Sequence, residues 1–141
     1  MTPQHFIRSA DVNLAAYTWG NPNTAKATVV LIHGYPDSAK IWQEMAESLA
    51  NDYYVISYDV RGAGESSIPK RIKQYDLRYL LQDLQAVIDT LAPKQKVHLV
   101  AHDWGSIQTW EAVTEPSLQD RIASYTTVSG PCLDHMGYWM R

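Results

Sequence analysis

Cysteine is almost absent from this chain of 141 residues, since Cys132 is the single example. An internal disulfide is therefore excluded, and the composition fits a reducing compartment, so we expect a cytoplasmic protein. No apolar run reaches the roughly 18 residues of a membrane-spanning helix. The first residues, MTPQHFIRSADVN, have no apolar core, so we expect no secretory signal.

An excess of charge of one sign is also missing. Twelve basic and 15 acidic residues give a net charge of −3, and the basic residues are scattered. A nucleic-acid partner or an anionic membrane surface is therefore not indicated. The hydrophobic content of 45% is that of a globular chain. Its length allows one domain at most, with a core of reasonable size.

Runs of apolar and β-branched residues predict six strands, of which the first two form an antiparallel hairpin at a sheet edge. The predicted strands cover residues 6–9, 12–19, 28–32, 53–58, 97–101 and 122–129. Apolar residues at helical spacing predict helices over 41–49, 77–91 and 107–113, with Ser38 as a cap of the first.

Strand and helix alternate from residue 28 onward, which predicts an α/β fold with a mainly parallel sheet and helices on both faces. Ligands of such sheets bind beyond the carboxyl ends of the strands. Three unusual loops follow strands at that edge: HGYPDS at 33–38, DVRGAGES at 59–66 and AHDWGS at 101–106. We therefore expect the functional site where these loops meet.

The loop AHDWGS has the layout of a nucleophile elbow, in which a strand turns sharply into a helix and presents one reactive side chain. Small residues are needed two positions before and after the apex, and Ala101 and Gly105 stand there. The apex residue is Asp103. Taken alone, this aspartate is equally well explained as the N-cap of the following helix.

Three motifs together carry a family resemblance. Residues 33–36 match a His-Gly-x-Pro oxyanion motif, residues 59–66 match Asp-x-Arg-Gly-x-Gly-x-Ser, and residues 102–105 match an elbow with an aspartate nucleophile. In this order and spacing the chain resembles the N-terminal half of an α/β-hydrolase of the epoxide hydrolase and haloalkane dehalogenase group. The resemblance covers nearly all of residues 1–141 and favours Asp103 as a nucleophile over a helix cap.

The resemblance implies a mechanism. Asp103 attacks an electrophilic carbon to form an ester, which water then hydrolyses. Backbone N–H groups of Trp104 and Tyr35 form the oxyanion hole. The implied substrate is a small, apolar epoxide, and neither a cofactor nor a metal is expected.

Further motif residues shape the site. The resemblance predicts a cis bond between Tyr35 and Pro36, which would point the Tyr35 N–H into the site. His33 is expected to pack in its loop with its ring bonded to backbone, and His102 to be structural, because neighbours at a sharp turn point apart. Arg61 is expected to shape the second loop, although an ordinary turn explains it equally well. The complete site-shaping set is His33, Gly34, Pro36, Arg61, Gly62, Gly64, His102 and Gly105.

The family also needs a late histidine, a supporting acid and a cap domain, which we do not find in residues 1–141. We therefore expect the N-terminal part of one α/β-hydrolase domain, truncated after about the sixth strand and inactive alone. It would be completed by a C-terminal half or would self-associate through the bare edge of its last strand. A weaker resemblance, through SGPCLDHMGYWMR at the end of the chain, is to hydrolases that precede a short-chain dehydrogenase domain.

Two other functions stay open. Haloalkane dehalogenases hold the halide between a tryptophan beside the nucleophile and an asparagine in the oxyanion loop. Trp104 is present, but Tyr35 stands at the asparagine position, which favours epoxide hydrolase. The other alternative is a non-catalytic interaction module that keeps the fold without the chemistry.

Overall fold

The computed structural model describes all 141 residues and contains one six-stranded sheet. Its strands are β1 (His5–Ser9), β2 (Val12–Trp19), β3 (Thr28–Ile32), β4 (Tyr54–Tyr58), β5 (Val97–His102) and β6 (Ile122–Val128). Each of the six predicted strands is confirmed to within one residue at either end.

The sheet has the order β1-β2-β4-β3-β5-β6. Strands β4, β3, β5 and β6 run parallel, and the antiparallel hairpin of β1 and β2 extends the sheet beyond β4. Every residue of β3 and β4 is buried, because these central strands are covered on both faces. This double coverage explains why their sequences are unbroken apolar runs.

The helices are α1 (Gln43–Leu49), α2 (Leu77–Leu91), α3 (Trp104–Thr114) and α4 (Leu133–Trp139). Short 3₁₀ turns cover Ala39–Trp42, Ile72–Tyr75 and Pro116–Arg121. Helix α2 has the predicted bounds, α3 begins three residues earlier than expected, and α4 was not predicted. The longest helix has 15 residues, and none combines the length and apolar character of a bilayer span.

The segment that leads into α1 differs from the prediction. Ser38 occupies the N-cap position of the first 3₁₀ turn, but its side chain makes no capping hydrogen bond. Trp42 and Ala46 are buried as one row of side chains, whereas Ile41 and Met45 remain 42% and 44% exposed. The row of Ile41 and Met45 lies about 100° around the helix from the row of Trp42 and Ala46. Only Trp42 and Ala46 therefore pack against the sheet.

The register of the sheet brings the three loops together. Ile32 pairs with Tyr58 on one side and with Ala101 on the other. The loops that follow β3, β4 and β5 therefore begin at the same edge of the sheet, as predicted.

Candidate active site

Asp103 lies at a sharp bend between β5 and α3. Its backbone has φ 55° and ψ −127°, a left-handed conformation that is uncommon for any residue except glycine. The Asp103 N–H donates to the carbonyl of Val128 at 2.9 Å, and its carbonyl accepts from the N–H groups of Ser106 and Ile107. The elbow is thus fixed both by the start of α3 and by the end of β6.

The bend needs glycine around it. A Cβ atom on Gly105 would lie 2.4 Å from the carbonyl oxygen of His33, and one on Gly34 would lie 2.5 Å from Oδ1 of Asp103. A third glycine, Gly130, was not predicted to matter, yet its Cβ would lie 2.5 Å from the Asp103 carbonyl oxygen. These contacts give a steric reason for glycine at each position.

The carboxylate of Asp103 is held by one oxygen. The Tyr35 N–H donates to Oδ1 at 3.0 Å, while Oδ2 accepts no hydrogen bond from the chain. The Tyr35-Pro36 bond is cis, as predicted. Trp104 begins α3, so its N–H has no partner within the helix. Of the two expected oxyanion donors, Tyr35 therefore contacts the carboxylate directly, and Trp104 follows Asp103 in the chain with its N–H unused by the helix.

A second carboxylate, Asp59, follows β4 and was not singled out from the sequence. Its Oδ1 accepts from the Ala39 N–H at 2.8 Å, and its Oδ2 accepts from the Tyr17 hydroxyl and the Glu65 N–H, each at 2.9 Å. Burial, together with Asp59, raises the pKa of Tyr17, so its hydroxyl stays protonated. Asp59 is 1% exposed. Its bonds hold three segments together, in contrast to the partly free Asp103.

His33 joins two of the loops through its ring. Its Nδ1 lies 2.8 Å from the Gly34 carbonyl and its Nε2 accepts from the Val60 N–H at 2.9 Å, so the predicted backbone bonding is confirmed. Burial lowers the pKa of His33, although the Gly34 bond and Asp59 act in the opposite direction. The neutral tautomer with a proton on Nδ1 satisfies both contacts.

Arg61 anchors the second loop to α2, a stronger role than shaping a turn. Its Nε and Nη2 donate to the two carboxylate oxygens of Asp83 at 2.6 and 2.7 Å, and Nη1 donates to the Gln74 carbonyl at 2.6 Å. Both Arg61 and Asp83 are almost fully buried. Gly62 and Gly64 adopt φ of 81° and 49°, conformations that glycine adopts without a steric cost.

The buried pair predicts a large loss of stability when one partner is changed. Asp83→Asn should lower the free energy of unfolding by about 3–5 kcal/mol, because it leaves the buried Arg61 charge with only the more distant Asp11 carboxylate, 3.9 Å away. Asp89→Asn is the matched control, since Asp89 pairs with Arg121 at the same 2.6 Å distance but is half exposed. That change should cost at most about 1 kcal/mol. Urea unfolding measures both, and equal losses would contradict the assignment.

A cleft of about 1170 Å³ opens beside the elbow. Gly34, Tyr35, Trp104 and Gly105, the residues that flank Asp103, all line it. Apolar side chains form much of the remaining wall: Ile41, Leu77, Leu80 and Leu133. Leu77 and Leu80 belong to the apolar pattern that predicted the helix over 77–91, and they lie near the start of α2, where that helix borders the cleft.

Asp59, Asp83 and Gln108 are the site residues that sequence reasoning missed. The sequence contains features that could have indicated two of them. Asp59 directly follows a buried strand, and Asp83 interrupts the apolar stripe of α2. Gln108, which lines the cleft, gives no recognisable pattern.

Comparisons with known proteins agree with this geometry. A sequence profile described as the alpha/beta hydrolase fold matches residues 27–139. The chain belongs to the alpha/beta hydrolase fold family. The predicted fold class is thereby confirmed.

Among curated relatives, this hydrolase-fold chain is 46% identical over 125 residues to "Probable oxidoreductase EphD" of Mycobacterium tuberculosis, covering 89% of this chain and 21% of that protein. It is 34% identical over 132 residues to "Epoxide hydrolase A" of the same organism, covering 92% of this chain and 39% of the relative. The chain thus spans about a fifth to two fifths of the length of these relatives.

Solved structures give the same result. A Vigna radiata epoxide hydrolase mutant superposes with a TM-score of 0.82 at 29% identity, covering 92% of this chain and 39% of the other. Epoxide Hydrolase A from Mycobacterium thermoresistibile gives 0.79 at 31% identity, covering 89% and 39%. The expected resemblance to epoxide hydrolases is confirmed.

Proposed function

We propose that this chain carries the nucleophile of an epoxide hydrolase and that Asp103 opens the epoxide by forming an ester. The observation that supports this most is the asymmetry of the Asp103 carboxylate: Oδ1 is held by the Tyr35 N–H at 3.0 Å and Oδ2 is free. A carboxylate with one free oxygen, fixed at a sharp bend beside a cleft, is prepared to act as a nucleophile.

The proposed first step forms one bond and breaks one. Oδ2 attacks an epoxide carbon, the C–O bond of the ring breaks, and the epoxide oxygen leaves as an alkoxide that takes up a proton. In the second step, water attacks the ester carbonyl carbon, whose oxygen is Oδ1. The charge that develops on Oδ1 is stabilised by the N–H groups of Tyr35 and Trp104. The bond between the carbonyl carbon and Oδ2 then breaks, Oδ2 leaves with the substrate as a hydroxyl that takes up a proton, and release of the diol restores the carboxylate with one oxygen from water.

The second step needs a general base with a supporting acid, and we propose that segments outside these 141 residues supply them. The curated relatives are about two and a half to five times as long as the part that this chain matches. A short-chain dehydrogenase domain stays a further proposal. It is supported by the likeness to the relative named a probable oxidoreductase, of which the chain covers 21%.

The choice between reactions depends on the oxyanion loop. Tyr35, 78% exposed, stands where a dehalogenase would hold an asparagine, so the second group of a halide clamp is lacking. The apolar part of the cleft wall supports an epoxide with an apolar body.

One experiment separates the candidate functions. The full-length protein is incubated with styrene oxide and, separately, with 1-bromobutane, and diol and bromide are measured. We expect diol from styrene oxide and no bromide release. Bromide release without diol would favour a dehalogenase. Inactivity of the folded protein on both compounds, and on a panel of other epoxides, would favour a non-catalytic module.

We also propose that the 141-residue chain self-associates through β6. This strand is a sheet edge, and its residues Ile122–Val128 include no charge, proline or glycine. Edge strands commonly carry such residues, which oppose pairing with other chains. Two copies meeting antiparallel around a two-fold axis would bring no like charges together. The opposite edge, β1, carries Arg8, which disfavours the same pairing there.

The pairing predicts a concentration-dependent dimer of the 16.0 kDa chain in sedimentation experiments. Thr126→Lys, near the middle of exposed β6, should weaken the dimer about tenfold, because the two lysines would lie near each other beside the two-fold axis. Thr90→Lys, on an exposed part of α2, should leave it unchanged. A monomer at all concentrations, with slowly exchanging β6 amides, would contradict this proposal. A longer species in mass spectrometry would indicate coverage by a C-terminal half instead.

A further inference from the structure

Gln108 is a buried polar residue in the wall of the cleft that has no assigned role. It lies on α3 one turn after Trp104 and three residues after Gly105, and all three line the cleft. A helix rises 1.5 Å per residue, so Gln108 lies about 7.5 Å along the axis from Asp103. Its side chain is therefore within the reach of a small substrate bound at the nucleophile.

The carboxamide of Gln108 has no hydrogen-bond partner in the chain. The residue is 6% exposed, and its Nε2 is enclosed without an acceptor. The other strongly buried polar side chains of the cleft, His33 and Arg61, are hydrogen-bonded to the chain. The next residue on α3, Thr109, also donates to the Gly105 carbonyl at 2.7 Å. Gln108 is thus the exception among its neighbours.

A buried amide without a partner is unfavourable, and most such groups in proteins are satisfied by protein, water or a ligand. A carboxamide can donate and accept at the same time, so it suits an uncharged polar group. A substrate carboxylate is disfavoured, because it would lie close to the charge of Asp103. The apolar part of the cleft wall, which includes Leu77 and Leu80, suits the hydrocarbon part of the same molecule.

We infer that Gln108 determines substrate specificity by hydrogen-bonding an uncharged polar substituent of the epoxide, such as a hydroxyl, carbonyl or amide, about 7 Å from the carbon that Asp103 attacks. This inference rests on the proposed epoxide hydrolase function and refines it. The substrate is then an epoxide with an apolar body and one remote polar group, rather than an entirely apolar compound.

The test uses two epoxides of equal chain length with the full-length protein, 5,6-epoxyhexan-1-ol and 1,2-epoxyheptane. In Gln108→Met, which keeps the length but loses the amide, the kcat/KM ratio of alcohol to alkane should fall about fivefold. Gln82→Met, on the exposed face of α2, should leave the ratio unchanged. An equal loss on both substrates, or an unchanged ratio in Gln108→Met, would overturn the inference in favour of a packing role.

A binding measurement keeps the inference testable if Gln108→Met does not fold or if no epoxide is turned over. The wild-type protein is titrated with 1-hexanol while the side-chain amide resonances of its glutamines are followed. The Gln108 amide should shift with saturation, and the Gln82 amide should not. Failure of the Gln108 resonance to shift while others in the cleft do would overturn the inference. Absence of turnover together with this shift would contradict only the proposed function.

Discussion

Asp103→Asn should abolish formation of the covalent ester, with a loss on the order of 10³-fold or more in single-turnover rate, because an amide is a far weaker nucleophile than a carboxylate. Intact-mass measurement of the full-length protein, quenched early after mixing with styrene oxide, detects the adduct. The matched control is Asp37→Asn, since Asp37 is a carboxylate that lines the cleft but does not lie at the elbow. It should leave adduct formation within about threefold of the wild type, as expected for a change outside the reacting groups.

Heavy-oxygen water gives an independent test of the same step. In a single turnover, the oxygen added to the substrate should come from the Asp103 carboxylate, so the first diol carries no solvent label. Asp103 itself should gain the label when the ester is hydrolysed. Labelled diol in the first turnover would mean direct attack by water and would contradict the nucleophile assignment.

In the time that the full-length protein needs for about 100 turnovers, the isolated 141-residue chain should release at most about one equivalent of diol, because ester hydrolysis is about 10²–10⁴-fold slower when a general base is missing. Both ring nitrogens of His33 are occupied by backbone groups. His98 bonds Ser124 and lies about 13 Å before His102 along β5. His102 adjoins Asp103 at a bend that points neighbouring side chains apart. None of these three histidines is in position to activate the water.

Counting diol against protein, with a thermal melt to establish that the chain is folded, measures this outcome. The full-length protein under the same conditions is the control and should show many turnovers. Several equivalents of diol from the isolated chain would contradict the prediction. His102 would then be the first candidate for the general base, and His102→Gln would test that role.

Local pattern was enough to predict most of the fold. The unbroken runs in β3 and β4 could be predicted because burial on both faces leaves a continuous apolar sequence. Helix α4 could not, because it has only seven residues and its apolar residues, such as Tyr138 and Trp139, are mostly exposed. Ser38 looked like a cap by residue type, but no side-chain bond forms because capping depends on geometry as well as composition.

The candidate site also contains features that the sequence predicted and features that it did not. Asp103, Gly105 and the Tyr35-Pro36 bond were predictable because motif and local backbone geometry coincide there. The roles of Arg61 and Asp83 were not, since 22 residues separate them and only the packing of the second loop on α2 brings them together. Gln108 shows the limit most clearly, because the lack of a partner is a property of the folded surroundings and leaves no trace in the sequence.

The bond from the Asp103 N–H to Val128 makes the elbow depend on β6. The Ser106 hydroxyl adds to this connection, because it donates to the Ala101 carbonyl at 2.6 Å and accepts from the Val128 N–H at 3.2 Å. Edge segments with few buried contacts open at a lower free energy than the core does. Any molecule or segment that pairs with β6 therefore suppresses the local opening that would release Asp103. Occupancy of the sheet edge and the positioning of Asp103, the proposed nucleophile, are thus linked equilibria.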